Sequence, residues 1–269
     1  MNNFRWWGER FSEPEERLSI VDLVNFGSLD LRLAGILWLI MERRAPVLVA
    51  AGPSNAGKST LLHVLLDFLP PEVKQVHLEG GNEDFRFTEE AVPANTYMVA
   101  AEFSNYGFYI WGDDARTAFE LLSEGYGLGG TIHATTIEEA VNILHGQLGL
   151  SPSLISQLDL VITIRMSANR SRATESKRCL ETVGLIGLEN EGLSLQVIAT
   201  RNRESGELVF PKEEDLYPAL SGRFGIAPDQ IASEIQLREQ FLGNLLQQDI
   251  KSHDDVRKAV VEFYRSRPS

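Results

Sequence analysis

Cysteine is nearly absent from this sequence: among 269 residues there is one, Cys179. A single thiol excludes an internal disulfide framework and a metal site built from cysteines, and it suits a reducing compartment. Basic residues are also in deficit. Lys and Arg number 25 against 38 Asp and Glu, a formal net charge of −13, which argues against broad electrostatic binding of nucleic acid or anionic lipid. No long apolar run is present. The most apolar, Leu33–Met41, is closed by Glu42, Arg43 and Arg44 and is too short to span a bilayer. The opening MNNFRWWGERF has no apolar segment of the kind a secretory signal needs. Internal repeats and low-complexity tracts are missing too. The expectation is a soluble, cytoplasmic protein, at most peripheral at the inner face of the cell membrane. Its length allows one large α/β core with a small appendage.

What is present centres on PVLVAAGPSNAGKS, residues Pro46–Ser59. Val47–Ala51 has the length and composition of a buried strand. Gly52 and Gly57, separated by four residues, lead into Lys58, Ser59 and Thr60, completing G-x-x-x-x-G-K-[ST] between a strand and a helix. Glycines let backbone N–H groups curl around a polyphosphate. The candidate nucleotide contacts are therefore Gly52, Asn55, Ala56, Gly57, Lys58, Ser59 and Thr60. Lys58 can reach the β- and γ-phosphates, Ser59 can ligate Mg²⁺, and a helix from about Thr60 aims its positive end at the anion. The plainer alternative is a glycine-rich turn with a surface lysine. It leaves unexplained why so apolar a strand runs into the loop.

Along the chain, Asp30 is placed to cap a buried helix over Leu31–Arg43. The helix after the loop stops at Pro70–Pro71. Val73–Leu78, ending at Glu79, and Tyr97–Ala101, closing on Glu102, are expected strands, and Asp113 and Asp114 open a helix through about Glu124. A glycine-rich strand, Gly127–Ala134, carries His133. Thr136 and Glu139 form a capping box for a helix through about Leu148, and Leu158–Ile164 is a further strand. This alternation predicts a mainly parallel sheet. A polar linker from Ser167, holding Arg170, Arg172, Lys177 and Arg178, reads as solvated. It precedes an antiparallel hairpin, Cys179–Leu188 and Leu193–Thr200, on the sheet's flank. The last sixty or so residues are helical, with starts at Pro228 and Ser252. The expected division is an arm over 1–17, an α/β domain over 18–212 and a helical subdomain over 213–269.

The stretch LSIVDLVNFGSLDLRLAGILWLIMERRAPVLVAAGPSNAGKSTLLHVLLDFLPPEV, with GGTIHATTIEEAV, LDLVITIRM and the C-terminal helices, resembles the secretion and pilus traffic ATPases of type II and type IV systems. The likeness is to the branch of archaeal pili, archaella and tight-adherence pili. It implies a RecA-like P-loop fold and a ring, usually a hexamer, that hydrolyses ATP with Mg²⁺ to drive pilus assembly or secretion. By position, Glu102 matches the Walker B glutamate, Glu79 the first acid of the family's Asp box, and His133 the His-box histidine facing the γ-phosphate or a neighbouring subunit. The sequence departs from the pattern in five places, one being the short segment between Glu79 and Glu102, which holds no arginine-bearing helix of the usual kind. Few residues precede the resemblance, where members usually carry an N-terminal domain. Gly80 stands where a second acid is expected. Phe103-Ser104 follows Glu102 in place of a small residue and an arginine, and NYGFYIW is extra.

Each acid and the histidine also has a structural reading: Glu102 and Glu79 as ordinary strand-end carboxylates, His133 as a hydrogen-bonded core histidine. Two functions remain open. One is a motor-type ATPase, self-associating as a ring or joining a full-length motor subunit, with a membrane platform protein as a further partner. The other is a catalytically weak nucleotide-binding partner of such a motor. Nucleic acid is not an expected partner. A small-molecule kinase would need an arginine-rich lid, and a GTPase an N/T-K-x-D motif; neither is found.

Overall fold

The computed structural model describes residues 17–81, 83–168 and 176–267. The aromatic arm with Trp6, Trp7 and Phe11, and Arg170 and Arg172 of the linker, lie outside the described residues. At the centre, strand β1 (Val47–Ala50) is buried along its whole length. Val47 and Val49 point into one apolar layer, Leu48 and Ala50 into the other. That is the period-2 alternation of a strand covered on both faces, and it explains the continuous apolar run.

Seven more strands join it: β2 (Lys74–Leu78), β3 (Thr96–Phe103), β4 (Gly127–Ile132), β5 (Leu160–Ala168), β6 (Ser176–Glu189), β7 (Gly192–Arg201) and β8 (Leu208–Val209). They form one sheet in the order β2-β3-β4-β1-β5-β6-β7-β8. The first five are parallel and the rest antiparallel. With β4 standing between β1 and β3, this is a RecA-like P-loop arrangement. The hairpin β6–β7 lies in the plane of the sheet, where it pairs with the outer edge of β5 and so leaves none of that edge unpaired.

One face of the sheet is covered by α1 (Ile20–Asn25), α2 (Leu31–Glu42), α3 (Lys58–Leu66) and three C-terminal helices, α7 (Glu213–Phe224), α8 (Pro228–Gln247) and α9 (His253–Arg265). The other carries α4 (Asp113–Leu122), α5 (Ile137–Asn142) and α6 (Pro152–Ile155). Among the described residues no helix is long and apolar enough to cross a membrane.

Some boundaries differ from expectation. α3 begins at Lys58, ahead of Thr60, and α5 gives way at Ile143 to a π-helical turn through Gln147. The capping box is offset by one residue. Thr136 Oγ1 accepts from the Glu139 amide at 3.1 Å. The Glu139 carboxylate, however, accepts from the amide and hydroxyl of Thr135, at 2.6 and 2.5 Å, because Thr135 offers it two donors.

Two packing arrangements position the loop end of the sheet. On β4 a Cβ at Gly127 would lie 2.1 Å from the Tyr97 ring, and one at Gly130 2.5 Å from the Phe103 ring. The glycine-rich approach thus makes room for two aromatic side chains of β3. At the far end of α3, Trp38 stacks on Phe68 with centroids 5.1 Å apart. Trp38 Nε1 donates to the Tyr264 hydroxyl at 2.8 Å, which donates to the Phe68 carbonyl at 2.6 Å. Arg257 donates to the carbonyls of Asp67 and Leu69, groups that a helix end leaves without intrahelical partners. α9 therefore anchors the end of the helix that begins at the phosphate loop.

An ion cluster ties α8 to α2. Arg238 is wholly buried and pairs with Glu42 and Glu234, and Arg267 joins Glu234. A buried guanidinium needs such partners. The hydrogen bond from Arg267, and after it that from Arg238, hold the Glu234 carboxyl at about 2, against an ordinary value of 4.5. A carboxyl lowered by folding contributes stability above its unfolded pKa and loses it as pH falls through the folded one. The stability margin of the wild type over Glu234→Gln is therefore expected in full above pH 4.5 and fades as pH falls toward about 2. Urea denaturation across that range tests this; a margin independent of pH would contradict it.

Candidate functional site

Ligands of open α/β sheets bind beyond the carboxyl ends of the parallel strands, and there β1 runs into the loop 51–57. Asn55 (φ 61°) and Gly57 (φ 93°) both take left-handed backbone conformations, which turns successive amides inward as in an anion nest. A Cβ on Gly52 would come within 2.5 Å of Thr135 Cγ2, so the loop lies directly against the segment after β4. Ala56 is buried in the α2-side core and anchors the loop from beneath.

α3 has no side-chain cap at Gly57, whereas Asp30, Thr136 and Ser252 cap α2, α5 and α9. Its first helical bond joins the Leu61 amide to the Gly57 carbonyl at 2.9 Å. The amides of Lys58, Ser59 and Thr60 precede that bond and are free to receive an anion. Ser59 is exposed and Thr60 half-buried at this mouth. Backbone donors, an ammonium and an open hydroxyl fit a phosphate chain with its Mg²⁺.

Lys58 is not a surface lysine: its side chain is 7% exposed. Its Nζ lies 3.8 Å from Glu102 Oε2 and 3.3 Å from His133 Nε2, and that Nε2 lies 3.2 Å from Glu102 Oε1. Burial lowers the pKa of the ammonium, and the Glu102 charge opposes the shift. Glu102 owes its position to a β-bulge. Ala100 pairs with Gly130 and Phe103 with Ile132, so Ala101 and Glu102 together oppose Thr131. The bulge re-aims the side chain, and Thr131 Oγ1 donates to the displaced Ala101 carbonyl at 2.7 Å. Glu102 thus sits within β3, not beyond its end.

Glu79 does not join this cluster. It is exposed at the end of β2, where its amide donates to Glu83 at 2.6 Å. A Cβ at the neighbouring Gly80 would lie 2.0 Å from the Phe108 carbonyl, so the extra stretch after Glu102 rests where a larger residue could not stand. That stretch folds back as the Ile110 amide donates to the Glu102 carbonyl at 3.1 Å. It presents Tyr106 and Phe108 to solvent. The residue missed by the sequence reading is Arg178. It belongs to β6 and not to a solvated linker, and its Nε donates to the Asn55 carbonyl of the loop at 3.1 Å. Its only signal in the sequence was its place directly before the alternating run from Cys179.

No protein-family model matches the chain. It is 22% identical over 264 residues to MJ1287, an uncharacterized protein of Methanocaldococcus jannaschii, covering 88% of this chain and 95% of that protein. MJ0781, also uncharacterized and from the same organism, is 43% identical over 53 residues, 18% of this chain and 7% of its own length. Among solved structures, similarity extends to the VirB11 ATPase of the Brucella suis type IV secretion system in complex with sulphate. The TM-score is 0.41 at 17% identity, over 61% of this chain and 56% of that one. The ATPase DotB of Legionella pneumophila gives 0.35 at 15% identity, over 86% of this chain and 60% of its own. The chain thus spans little more than half the length of these two ATPases.

The contacts of His133 fix its tautomer. Nδ1 lies 3.1 Å from the Gly52 carbonyl, which can only accept, so Nδ1 carries a proton. In the neutral ring Nε2 is then an acceptor and takes a hydrogen from Lys58; only the imidazolium donates from Nε2 to Glu102. Nitrogen NMR of histidine-labelled, ligand-free protein, at a pH where the ring is neutral, should find His133 protonated at Nδ1. A neutral ring protonated at Nε2 would contradict this geometry.

Proposed function

We propose that this chain binds ATP with Mg²⁺ at Gly52–Thr60 and hydrolyses it, as a motor-type ATPase of the kind that drives pilus assembly or protein secretion. The observation that carries the reading is convergence: Lys58 from the loop after β1, Glu102 from β3 and His133 after β4 meet beside the uncapped end of α3. An ammonium for the phosphates and a carboxylate to orient water, beside a phosphate-binding helix end, are parts that phosphoryl transfer to water uses.

In this mechanism the loop and α3 amides hold the phosphate chain in place. Lys58 exchanges its contacts with Glu102 and His133 for phosphate oxygens. Ser59 would hold Mg²⁺, which supplies Lewis-acid polarisation of the phosphoryl oxygens when bound. Glu102, freed from Lys58, orients the attacking water and takes its proton. His133, held at Nδ1 by Gly52, donates from Nε2 to the terminal phosphate when the ring is the imidazolium. His133 is 41% exposed, so the same group is open to a neighbouring copy of the chain, to a full-length motor subunit, or to a partner at a membrane platform.

A second reading, a nucleotide-binding partner with weak turnover, draws support from Glu79. It stands outside the cluster with Gly80 packed on Phe108, so one carboxylate serves the site where the family pattern calls for more. Glu102→Gln separates the two. For a motor, the variant is expected to keep ATP affinity and lose turnover by roughly 10²-fold or more, in a phosphate-release assay beside calorimetric binding. A wild type that binds ATP without turnover moves the reading to the partner.

A further inference from the structure

We propose that Arg178 holds the nucleoside end of the bound nucleotide by stacking its guanidinium plane on the base. The proposal rests on the nucleotide reading of the loop given above. β1 pairs with β5 from Val47↔Leu160 to Ala50↔Thr163. β5 then continues through Ala168, paired with β6 from Ile164↔Leu180 to Ala168↔Ser176. The two strands thus rise past the end of β1 as a wall beside the phosphate loop, and Arg178, opposite Met166, stands on that wall.

The direction of the ligand follows from the strand order. Glu102 and His133 mark the terminal-phosphate end and lie on the β4 and β3 side of β1. Arg178 approaches from the β5 and β6 side. A nucleotide laid across the loop with its last phosphate at Lys58 carries its nucleoside toward Arg178. A Cβ on Gly57 would lie 3.2 Å from Arg178 Cδ, so the stem of the arginine runs along the loop itself.

Arg178 is also available for a ligand. Nearby on the sheet, Arg165 and Arg203 share Glu181, at 2.7 and 3.0 Å. Arg178 is exposed and makes one hydrogen bond among the described residues, from Nε to Asn55. That bond holds one edge of the guanidinium against the loop and leaves its terminal nitrogens without a hydrogen bond among the described residues. A guanidinium stacks on the face of any aromatic base. The ligand class is therefore a nucleoside triphosphate or diphosphate, with little discrimination between bases.

Two variants test this by calorimetric titration of ATP–Mg²⁺ into the full chain, with thermal denaturation to verify folding. Arg178→Lys keeps the charge and loses the plane; Arg178→Trp keeps a stacking plane and loses both the charge and the bond to Asn55. The expected result is ATP affinity weakened roughly 3- to 30-fold in Arg178→Lys and near wild type in Arg178→Trp. Retained affinity in Arg178→Lys overturns the proposal. So does loss in both variants, which would make Arg178 a brace of the loop. In either case ATP binding by the wild type leaves the nucleotide reading intact, whereas a wild type that does not bind ATP removes both.

Discussion

An ammonium taken out of water must find negative charge or acceptors, because desolvation alone drives it toward the neutral form. Lys58 is such a group, and the upper end of the sheet is arranged to receive it. The β3 bulge supplies Glu102, the turn after β4 supplies His133, and the Gly52 carbonyl holds the imidazole in the tautomer that accepts from Lys58. Without a ligand Lys58 lies within hydrogen-bond reach of the imidazole and within ion-pair range of Glu102. In the proposed reaction a polyphosphate would offer the lysine stronger partners and release the other two.

The lower end of the same helix is held just as specifically. Trp38, Phe68 and Tyr264 form a stacked and hydrogen-bonded group, and Arg257 closes the α3 carbonyls. Gly35 lets α2 and α8 approach so closely that a Cβ would lie 3.0 Å from the Ile235 carbonyl. A displacement of α3 caused by ligand would be felt at α9 through these contacts, since packed interiors transmit strain. The C-terminal helices are in this sense part of the frame of the loop.

The sequence made the loop, its strand and the α/β alternation legible because each is a local signal: a fixed motif, a period and a run of apolar residues. It located Glu102 and His133 through their resemblance to known motifs, but the carboxylate's position inside the strand depends on a bulge that only pairing with β4 creates. Glu79 entered the candidate set because it ends an alternating strand and matches the first acid of the Asp box, as Glu102 ends an apolar strand and matches the Walker B glutamate. Strand order separates them: β3 is one strand removed from β1 and β2 is the sheet edge. Arg178 was illegible for a related reason. Its contact with Asn55 spans 123 positions and exists because an antiparallel strand carries it past the end of β1. The buried pairing of Arg238 with Glu42 is likewise a product of helix packing that no local pattern announces.

The account depends on Lys58 meeting phosphate, and calorimetric titration of ATP–Mg²⁺ into the wild type and Lys58→Ala tests it most directly. The wild type should show saturable binding. The variant should show none at millimolar nucleotide, while circular dichroism reports the same fold. Equal affinity in the two proteins would mean that the lysine is buried for packing alone and would contradict the assignment of this loop as a nucleotide site.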